Sequence, residues 1–305
     1  MGNSVIEVRD FSKNYGDFVA VDDISFDVRR GEIFGLLGPN GAGKTSTLES
    51  LEGLRSPSSG SLRVVGIDPT REPQKLRNVI GVQLQTSGLP ESITVDEVMH
   101  LFCAYHGVEP RYDLLDRLGL AEKRNAQYHQ LSTGQQRRLS LALALAHNPS
   151  VLFLDEPTAG LDVATRVELH DIMREQQEAG TTIILATHDM AEAEEMADRI
   201  AILLNGKIAA TGTPIEITAE GGGLTKISVR TQRSSLSDPG ISFPAVSQRI
   251  SKDEYSIYFS TDIGPTLGAI IAFIETKEDT LIDLRVERPS LEDRFLEITS
   301  SGGDR

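Results

Sequence analysis

The chain has 305 residues, of which 39% are hydrophobic and 25% charged, and this composition fits one large domain or two unequal ones. Its net charge of −15 argues against a general nucleic-acid-binding protein, because phosphate backbones are normally bound by a basic surface. The single cysteine, Cys103, excludes an intrachain disulfide framework and a cysteine-based structural zinc site. We expect a protein of the reducing cytosol, without a secretory signal or membrane span of its own.

The first strands are indicated by their hydrophobic patterns. VIEVRDFSKNYG (5–16) and ISFDV (24–28) alternate apolar and polar residues like half-buried strands. IFGLLG (33–38) is continuously apolar, as is typical of a buried strand in a parallel sheet. SLRVVG (61–66) and VIGVQLQ (79–85) predict two more strands.

GPNGAGKT (38–45) matches the glycine-loop pattern G-x-x-x-x-G-K-[ST] and lies between the buried strand and a predicted helix. Such a loop turns consecutive backbone N–H groups toward phosphates, while Lys44 reaches the outer phosphates and the Thr45 hydroxyl binds Mg²⁺. The predicted phosphate-binding residues are Gly38, Pro39, Asn40, Gly41, Ala42, Gly43, Lys44, Thr45 and Ser46.

A mostly helical section is predicted over residues 94–147, opened by a capping box of Thr94 and Glu97. Within it, QLSTGQQRRLS (130–140) places a small hydroxyl- and glycine-containing turn before a helix. Unpaired N–H groups and the helix dipole make such a turn a candidate anion site.

VLFLDEP and TTIILATH predict two further buried strands, and both end in chemically active side chains. Asp155 is placed to hold Mg²⁺, Glu156 to polarise a water molecule, and His188 to contact the γ-phosphate. The alternative for His188 is a purely structural histidine. With Lys44, Glu156 and His188 form the predicted catalytic set, and the alternation of strands and helices indicates an α/β fold with a mainly parallel sheet.

The segment AEGGGL (219–224) interrupts this pattern and predicts a linker. KISVR, EYSIYF, GPTLGAIIAFIE and TLIDLRVE then predict a small α+β domain over residues 224–301. The alternative is an extension of the main sheet.

These motifs together resemble the ATP-binding cassette (ABC) ATPases, the nucleotide-binding subunits of ABC transporters, over roughly the first 215 residues. LSTGQ (131–135) is similar to the family signature LSGGQ, with Thr133 in place of the commoner glycine. The resemblance implies that Ser132, Gly134 and Gln135 bind the γ-phosphate of ATP held by a second cassette. It also implies that Tyr15 stacks on adenine and that Gln85 meets Mg²⁺, with Gln83 an alternative alignment.

The resemblance implies a P-loop ABC cassette over residues 3–219, with ATP and Mg²⁺ as ligands and no nucleic-acid partner. We expect a homodimer or paired cassette on ATP binding and a separate permease, with the chain on the inner face of the cell membrane. The tail RPSLEDRFLEITS (288–300) resembles the daunorubicin-resistance type of drug exporter ATPase, which favours export. An importer ATPase with a regulatory C-terminal domain and a soluble non-transport ABC ATPase are the alternatives.

Overall fold

A computed structural model describes residues 4–83, 88–220, 224–238, 240–252 and 254–301. Gln85 and the glycines at 221–223, both used in the sequence predictions, lie outside these ranges. The chain divides into two compact units, Met1–Pro214 and Ile215–Arg305. This division falls before the glycine-rich segment, so helix α8 (Pro214–Glu220) falls largely in the second unit, whereas the sequence placed it in the first.

The first unit contains two sheets. The larger has six strands in the order β5-β6-β7-β3-β8-β9, in which neighbouring strands are parallel except for the antiparallel β9 at one edge. Its strands are β3 (Ile33–Leu37), β5 (Ile80–Gln83), β6 (Val151–Asp155), β7 (Thr182–Thr187), β8 (Arg199–Leu204) and β9 (Lys207–Gly212). Every residue of β3, β6 and β7 is buried, as the continuous apolar runs predict.

The smaller sheet is antiparallel and was not separated from the main sheet by the sequence patterns. Its order is β2-β1-β4, formed by β1 (Ser4–Tyr15), β2 (Phe18–Arg29) and β4 (Ser59–Val64). A hydrophobic core that includes Phe11, Phe34, Leu48 and Phe153 joins this sheet to the larger sheet and to the helix that follows the glycine loop, α1 (Lys44–Leu51). The core therefore fixes the glycine loop between two sheets.

The helices of the first unit are α1 (Lys44–Leu51), α2 (Pro73–Arg77), α3 (Val95–His106), α4 (Tyr112–Arg117), α5 (Thr133–Leu145), α6 (Val163–Glu178) and α7 (Met190–Met196). The predicted capping box is confirmed, because the Glu97 N–H donates to Thr94 Oγ1 at 3.2 Å and the Thr94 N–H donates to Glu97 Oε2 at 2.9 Å. Helices α3, α4 and α5 occupy the section predicted to be mostly helical.

The second unit carries a four-stranded antiparallel sheet of order β11-β12-β10-β13. Its elements are β10 (Thr225–Thr231), β11 (Val246–Lys252), β12 (Tyr255–Ser260), α9 (Ile263–Thr276), β13 (Leu281–Glu287) and α10 (Leu291–Ser301). The sequence prediction missed β11, whose segment VSQRISK is largely polar. Ile227, Tyr258 and Ile270 form part of a separate core beneath α9. In the described part of the chain, no helix is both long and apolar enough to cross a membrane.

Candidate functional site

The glycine loop connects the buried strand β3 to helix α1, as the sequence predicts. Gly43 has a φ of 106°, and a Cβ atom there would lie 2.6 Å from the backbone oxygen of Ala20. Any other residue would therefore collide with the neighbouring backbone as well as strain its own. Glycine is therefore required at position 43, because the loop packs there directly against the backbone of β2.

The Lys44 side chain lies inside this loop. Its Nζ donates to the carbonyl oxygens of Gly38 at 2.6 Å and Pro39 at 3.2 Å, and the residue is buried. Burial lowers the pKa of Lys44, while the negative charges of Glu156 and Asp155 act in the opposite direction. The ammonium group is thus held at the centre of the loop beside two carboxylates.

Thr45 and Asp155 meet across the site, although 110 positions separate them in the sequence. The Thr45 hydroxyl donates to Asp155 Oδ2 at 3.1 Å. Burial raises the pKa of Asp155 and the Glu156 charge adds to the rise, whereas the Thr45 hydrogen bond and Lys44 lower it. Hydroxyl and carboxylate oxygens are the hard ligands that Mg²⁺ prefers, so this pair fits the predicted metal position.

Glu156 follows Asp155 directly and takes a left-handed backbone conformation, with a φ of 50°. Such a conformation is uncommon outside glycine and occurs preferentially at functional sites. Its N–H donates to the Ala186 carbonyl at 2.9 Å, and its Oε1 lies 2.8 Å from His188 Nδ1. The ends of β6 and β7 therefore bring the predicted water-polarising carboxylate and the predicted phosphate-contacting histidine together.

A cavity of about 180 Å³ opens at the loop, lined by Tyr15, Phe18, Ala20, Asn40, Gly41, Gly43, Lys44, Thr45, Ser46, Asp155 and Glu156. Tyr15 stands at its rim, with its hydroxyl 3.4 Å from Ser46 Oγ. Phe18, which the sequence analysis missed, pairs with Tyr15 across the β1–β2 turn and is 62% exposed. The signal was available, because Phe18 follows Tyr15 after a two-residue Gly-Asp turn.

The signature turn is built as a helix cap. The Gln135 N–H donates to Ser132 Oγ at 3.2 Å, and the Ser132 N–H donates to Gln135 Oε1 at 2.9 Å. Gly134 lies against the first turn of α6, where an added Cβ would be 3.4 Å from the Thr165 methyl group. Ser132, Gly134 and Gln135 do not line the cavity that holds Lys44. The structure thus brings together the glycine loop, the two carboxylates and His188, and leaves the signature turn apart from them within one chain.

A buried network, which sequence reasoning missed, lies behind Glu156. The Thr158 hydroxyl donates to Glu192 Oε1 at 2.6 Å, and His170 Nε2 lies 3.3 Å from the same oxygen. All three side chains are buried. They connect the segment after Glu156 to α6 and to α7, the helix that follows His188.

Among the described residues, no three His, Cys, Asp or Glu side chains gather as a metal cluster. Mg²⁺ is commonly bound by one or two carboxylates together with substrate phosphates, and the Thr45 and Asp155 oxygens match that pattern. Gln85, the other predicted metal ligand, lies outside the described residues, and the alternative Gln83 is buried.

This fold and this site define a P-loop ATPase of the ATP-binding cassette class. A family model described as "ABC transporter" matches residues 21–159. The daunorubicin resistance ATP-binding protein DrrA3 of Streptomyces coeruleorubidus is 35% identical over 312 residues, which cover 100% of this chain and 98% of DrrA3. The chain belongs to the ABC transporter family as an ATP-binding subunit, and the activity of this class is ATP hydrolysis coupled to transport.

Other relatives extend the comparison. The probable multidrug ABC transporter ATP-binding protein YbhF of Escherichia coli is 39% identical over 225 residues, or 72% of this chain, but the match spans only 39% of YbhF. A solved ATP-binding subunit of an ABC transporter aligns with a TM-score of 0.67 and 30% identity, covering 71% of this chain and 93% of that one. A dimeric bacterial ABC transporter cassette aligns with a TM-score of 0.62 and 27% identity, covering 68% and 98%.

Proposed function

We propose that this chain is the motor of an exporter: two copies close around two ATP molecules and drive a drug, antibiotic or lipid-like compound through a separate membrane permease. The main observation behind this proposal is that five side chains lie close together at the ends of β3, β6 and β7: Lys44, Thr45, Asp155, Glu156 and His188. Export is supported by the full-length similarity to a daunorubicin resistance protein.

Each side chain has a role in this proposal that its position supports. Lys44 neutralises the outer phosphates, because its Nζ already lies inside the loop that would hold them. Thr45 and Asp155 hold Mg²⁺, which when bound neutralises phosphate charge. Tyr15 and Phe18 line the cavity rim and stack on the adenine base in this proposal. Lys13 and Arg55 lie over the Tyr15 ring, 5.0 and 5.6 Å from its centroid, so the base would displace one of them.

Glu156 orients the attacking water molecule and accepts its proton. His188 fixes the direction of the Glu156 carboxylate through Nδ1 and uses its remaining nitrogen toward the γ-phosphate. An ionised carboxylate and a phosphate oxygen both accept hydrogen bonds, so His188 donates to Glu156 from Nδ1 and to the phosphate from Nε2 when both nitrogens carry a proton. In this pair, Glu156 accepts the proton and His188 holds the Glu156 carboxylate in position.

Closure of two copies is proposed because the signature turn is outside the cavity of its own chain, while its capping geometry presents backbone N–H groups at the start of α5. The dimeric cassette among the structural relatives supports the pairing of two copies.

A separate permease is proposed to contact a second cavity of about 270 Å³, whose lining includes Leu54, Phe102, Tyr105 and His147. Leu54 and Tyr105 are 55% and 64% exposed, and apolar groups exposed together commonly mark a protein-binding surface. Co-expression with a candidate permease, followed by affinity purification, tests this assignment. The complex should be recovered with the wild-type chain and lost with Tyr105→Asp, while both retain ATP binding; equal recovery of the two would overturn the assigned surface, and no recovery of either would overturn the partnership.

A further inference from the structure

Strand β13 (Leu281–Glu287) forms one edge of the sheet in the second unit. It pairs with β10 on one side, and no strand of the described residues pairs with its other side. An edge strand presents a row of backbone donors and acceptors that can pair with another strand. Here the edge is also apolar, because Ile282 is 49% and Val286 41% exposed. An edge of this kind is a candidate pairing surface.

The side chains of β13 alternate between two different faces. Leu284 and Val286 share one face, and Leu284 packs against the core under α9. The pairing with β10 shifts register between Asp283 and Leu281, so Ile282 is not part of this alternation. Asp283 and Arg285 share the opposite face, where Asp283 Oδ2 accepts from the Tyr255 hydroxyl at 2.6 Å and from Arg285 Nε at 3.0 Å. A negative and a positive charge therefore flank Leu284 symmetrically along the strand.

This symmetry makes β13 complementary to itself. In an antiparallel pair of two β13 strands centred on Leu284, Asp283 of each copy lies opposite Arg285 of the other. Leu284 of each copy lies opposite Leu284 of the other. Opposite charges and apolar pairs at directly opposed positions both stabilise antiparallel strands.

Neighbouring registers lack this match. A register centred on Asp283 places the two Asp283 side chains opposite each other. A register centred on Arg285 places the two Arg285 side chains opposite each other and also places Asp283 opposite Glu287. A shift that places Asp283 opposite Leu284 puts the charged face of one strand on the apolar side of the other. Charge and pattern together select one register.

We propose that β13 pairs antiparallel with β13 of a second copy of this chain, so that the two four-stranded sheets become one continuous sheet. The contact does not require nucleotide, and it is separate from the ATP-dependent closure proposed above. A single strand edge is smaller than a standard protein interface of about 1,600 Å², so we expect a weak, concentration-dependent dimer.

Charge exchange tests the register in the full-length chain without nucleotide. In a dimer of Asp283→Arg, positions 283 and 285 face each other with positive charges only. In a dimer of Arg285→Asp, the same positions face each other with negative charges only. Each variant alone should dimerise at least about tenfold more weakly than wild type in sedimentation equilibrium, whereas an equimolar mixture should recover wild-type affinity as a heterodimer. The double variant D283R/R285D should also recover it.

Lys252→Asp on the opposite edge strand, β11, is the matched control and should leave dimerisation unchanged. Recovery in the mixture also shows that the single variants are folded. The proposal is overturned if wild type remains monomeric at every concentration, if the mixture does not recover, or if Lys252→Asp weakens the dimer equally. Closure of Glu156→Gln with Mg-ATP is measured separately, so failure here does not decide the proposed function.

Disulfide trapping gives a second readout. Asp283→Cys mixed with Arg285→Cys should cross-link, because directly opposed residues lie about 4.5–5.5 Å apart between Cα atoms. Either variant alone should not, since equivalent residues are then two positions out of register, about 7 Å along the strand, and their Cα atoms lie too far apart for a disulfide. The native Cys103 is buried and provides the background control. Cross-linking that is equal in the single variants and the mixture, or absent throughout, contradicts the register.

Discussion

His188 Nδ1 lies 2.8 Å from Glu156 Oε1, at the ends of two adjacent parallel strands. The contact fixes the orientation of a carboxylate whose backbone is itself in a left-handed conformation. Because Nδ1 is engaged, only Nε2 of the imidazole remains for a phosphate or a water molecule. Glu156 and His188 are therefore expected to act as one unit.

His188→Ala should lower the rate of ATP turnover about 10- to 100-fold while changing the Kd for ATP by no more than about twofold. The physical reason is that Glu156 keeps its charge but loses the group that orients it. Steady-state turnover and equilibrium nucleotide binding measure the two quantities. Adding His188→Ala to Glu156→Gln should cause little further loss, and fully additive losses would show that the two residues act independently.

Ser132→Arg should retain nucleotide binding but abolish ATP-driven dimer closure, because it places bulk and charge at the signature turn. Ser132→Ala is the comparison variant: it removes the hydroxyl that accepts from the Gln135 N–H and that is proposed to contact the γ-phosphate, but it adds no bulk or charge, so it should weaken closure less than Ser132→Arg. Sedimentation with Mg-ATP and titration of nucleotide check the two effects. A loss of ATP affinity as severe as that of Lys44→Ala would show that the turn acts within its own chain.

Glu192 is predicted to position the catalytic segment through Thr158. Glu192→Ala removes the acceptor of the Thr158 hydroxyl and should lower kcat about tenfold or more with little change in nucleotide Kd. Glu192→Gln keeps an acceptor oxygen and should recover much of the rate. Asp171→Ala, an exposed change on α6, should leave kcat unchanged. If the alanine and glutamine variants are equally slow, the Thr158 hydrogen bond does not explain the effect.

Glu52 should make stability depend on pH. Burial, followed by the charges of Asp155 and Glu49, raises its pKa from 4.5 to about 8, and its Oε2 has no hydrogen-bond partner among the described residues. Because the folded-state pKa is the higher one, Glu52 favours folding fully below pH 4.5, and this contribution is lost as pH rises through about 8.

Glu52→Gln should therefore gain stability relative to wild type as pH rises from about 5 to about 9, by at most about 1.4 kcal/mol per pH unit. Urea unfolding across this range measures the difference. Glu122 is exposed, so the control Glu122→Gln should show no such change of stability with pH. A stability difference between Glu52→Gln and wild type that does not change with pH would contradict the prediction.

The sequence predicted those parts of the candidate site that are continuous in the chain. The glycine loop could be predicted because its glycines, Lys44 and Thr45 occur together, and Asp155 and Glu156 because they directly follow a buried strand. The contact between Glu156 and His188 depends on β6 and β7 being neighbours, which a single strand pattern does not specify. The Glu192 network was missed for the same reason, because its three members come from three separate elements. β11 was missed because its polar sequence lacks a strong alternating pattern.

The most direct test of the central claim is the behaviour of Glu156→Gln with Mg-ATP, measured in one sample by turnover and by sedimentation. Glutamine keeps the shape of the side chain but cannot accept a proton from water. We predict that turnover falls at least about 100-fold, that ATP still binds within about twofold of wild type, and that a dimer accumulates in the presence of ATP. Turnover close to that of wild type would contradict the account.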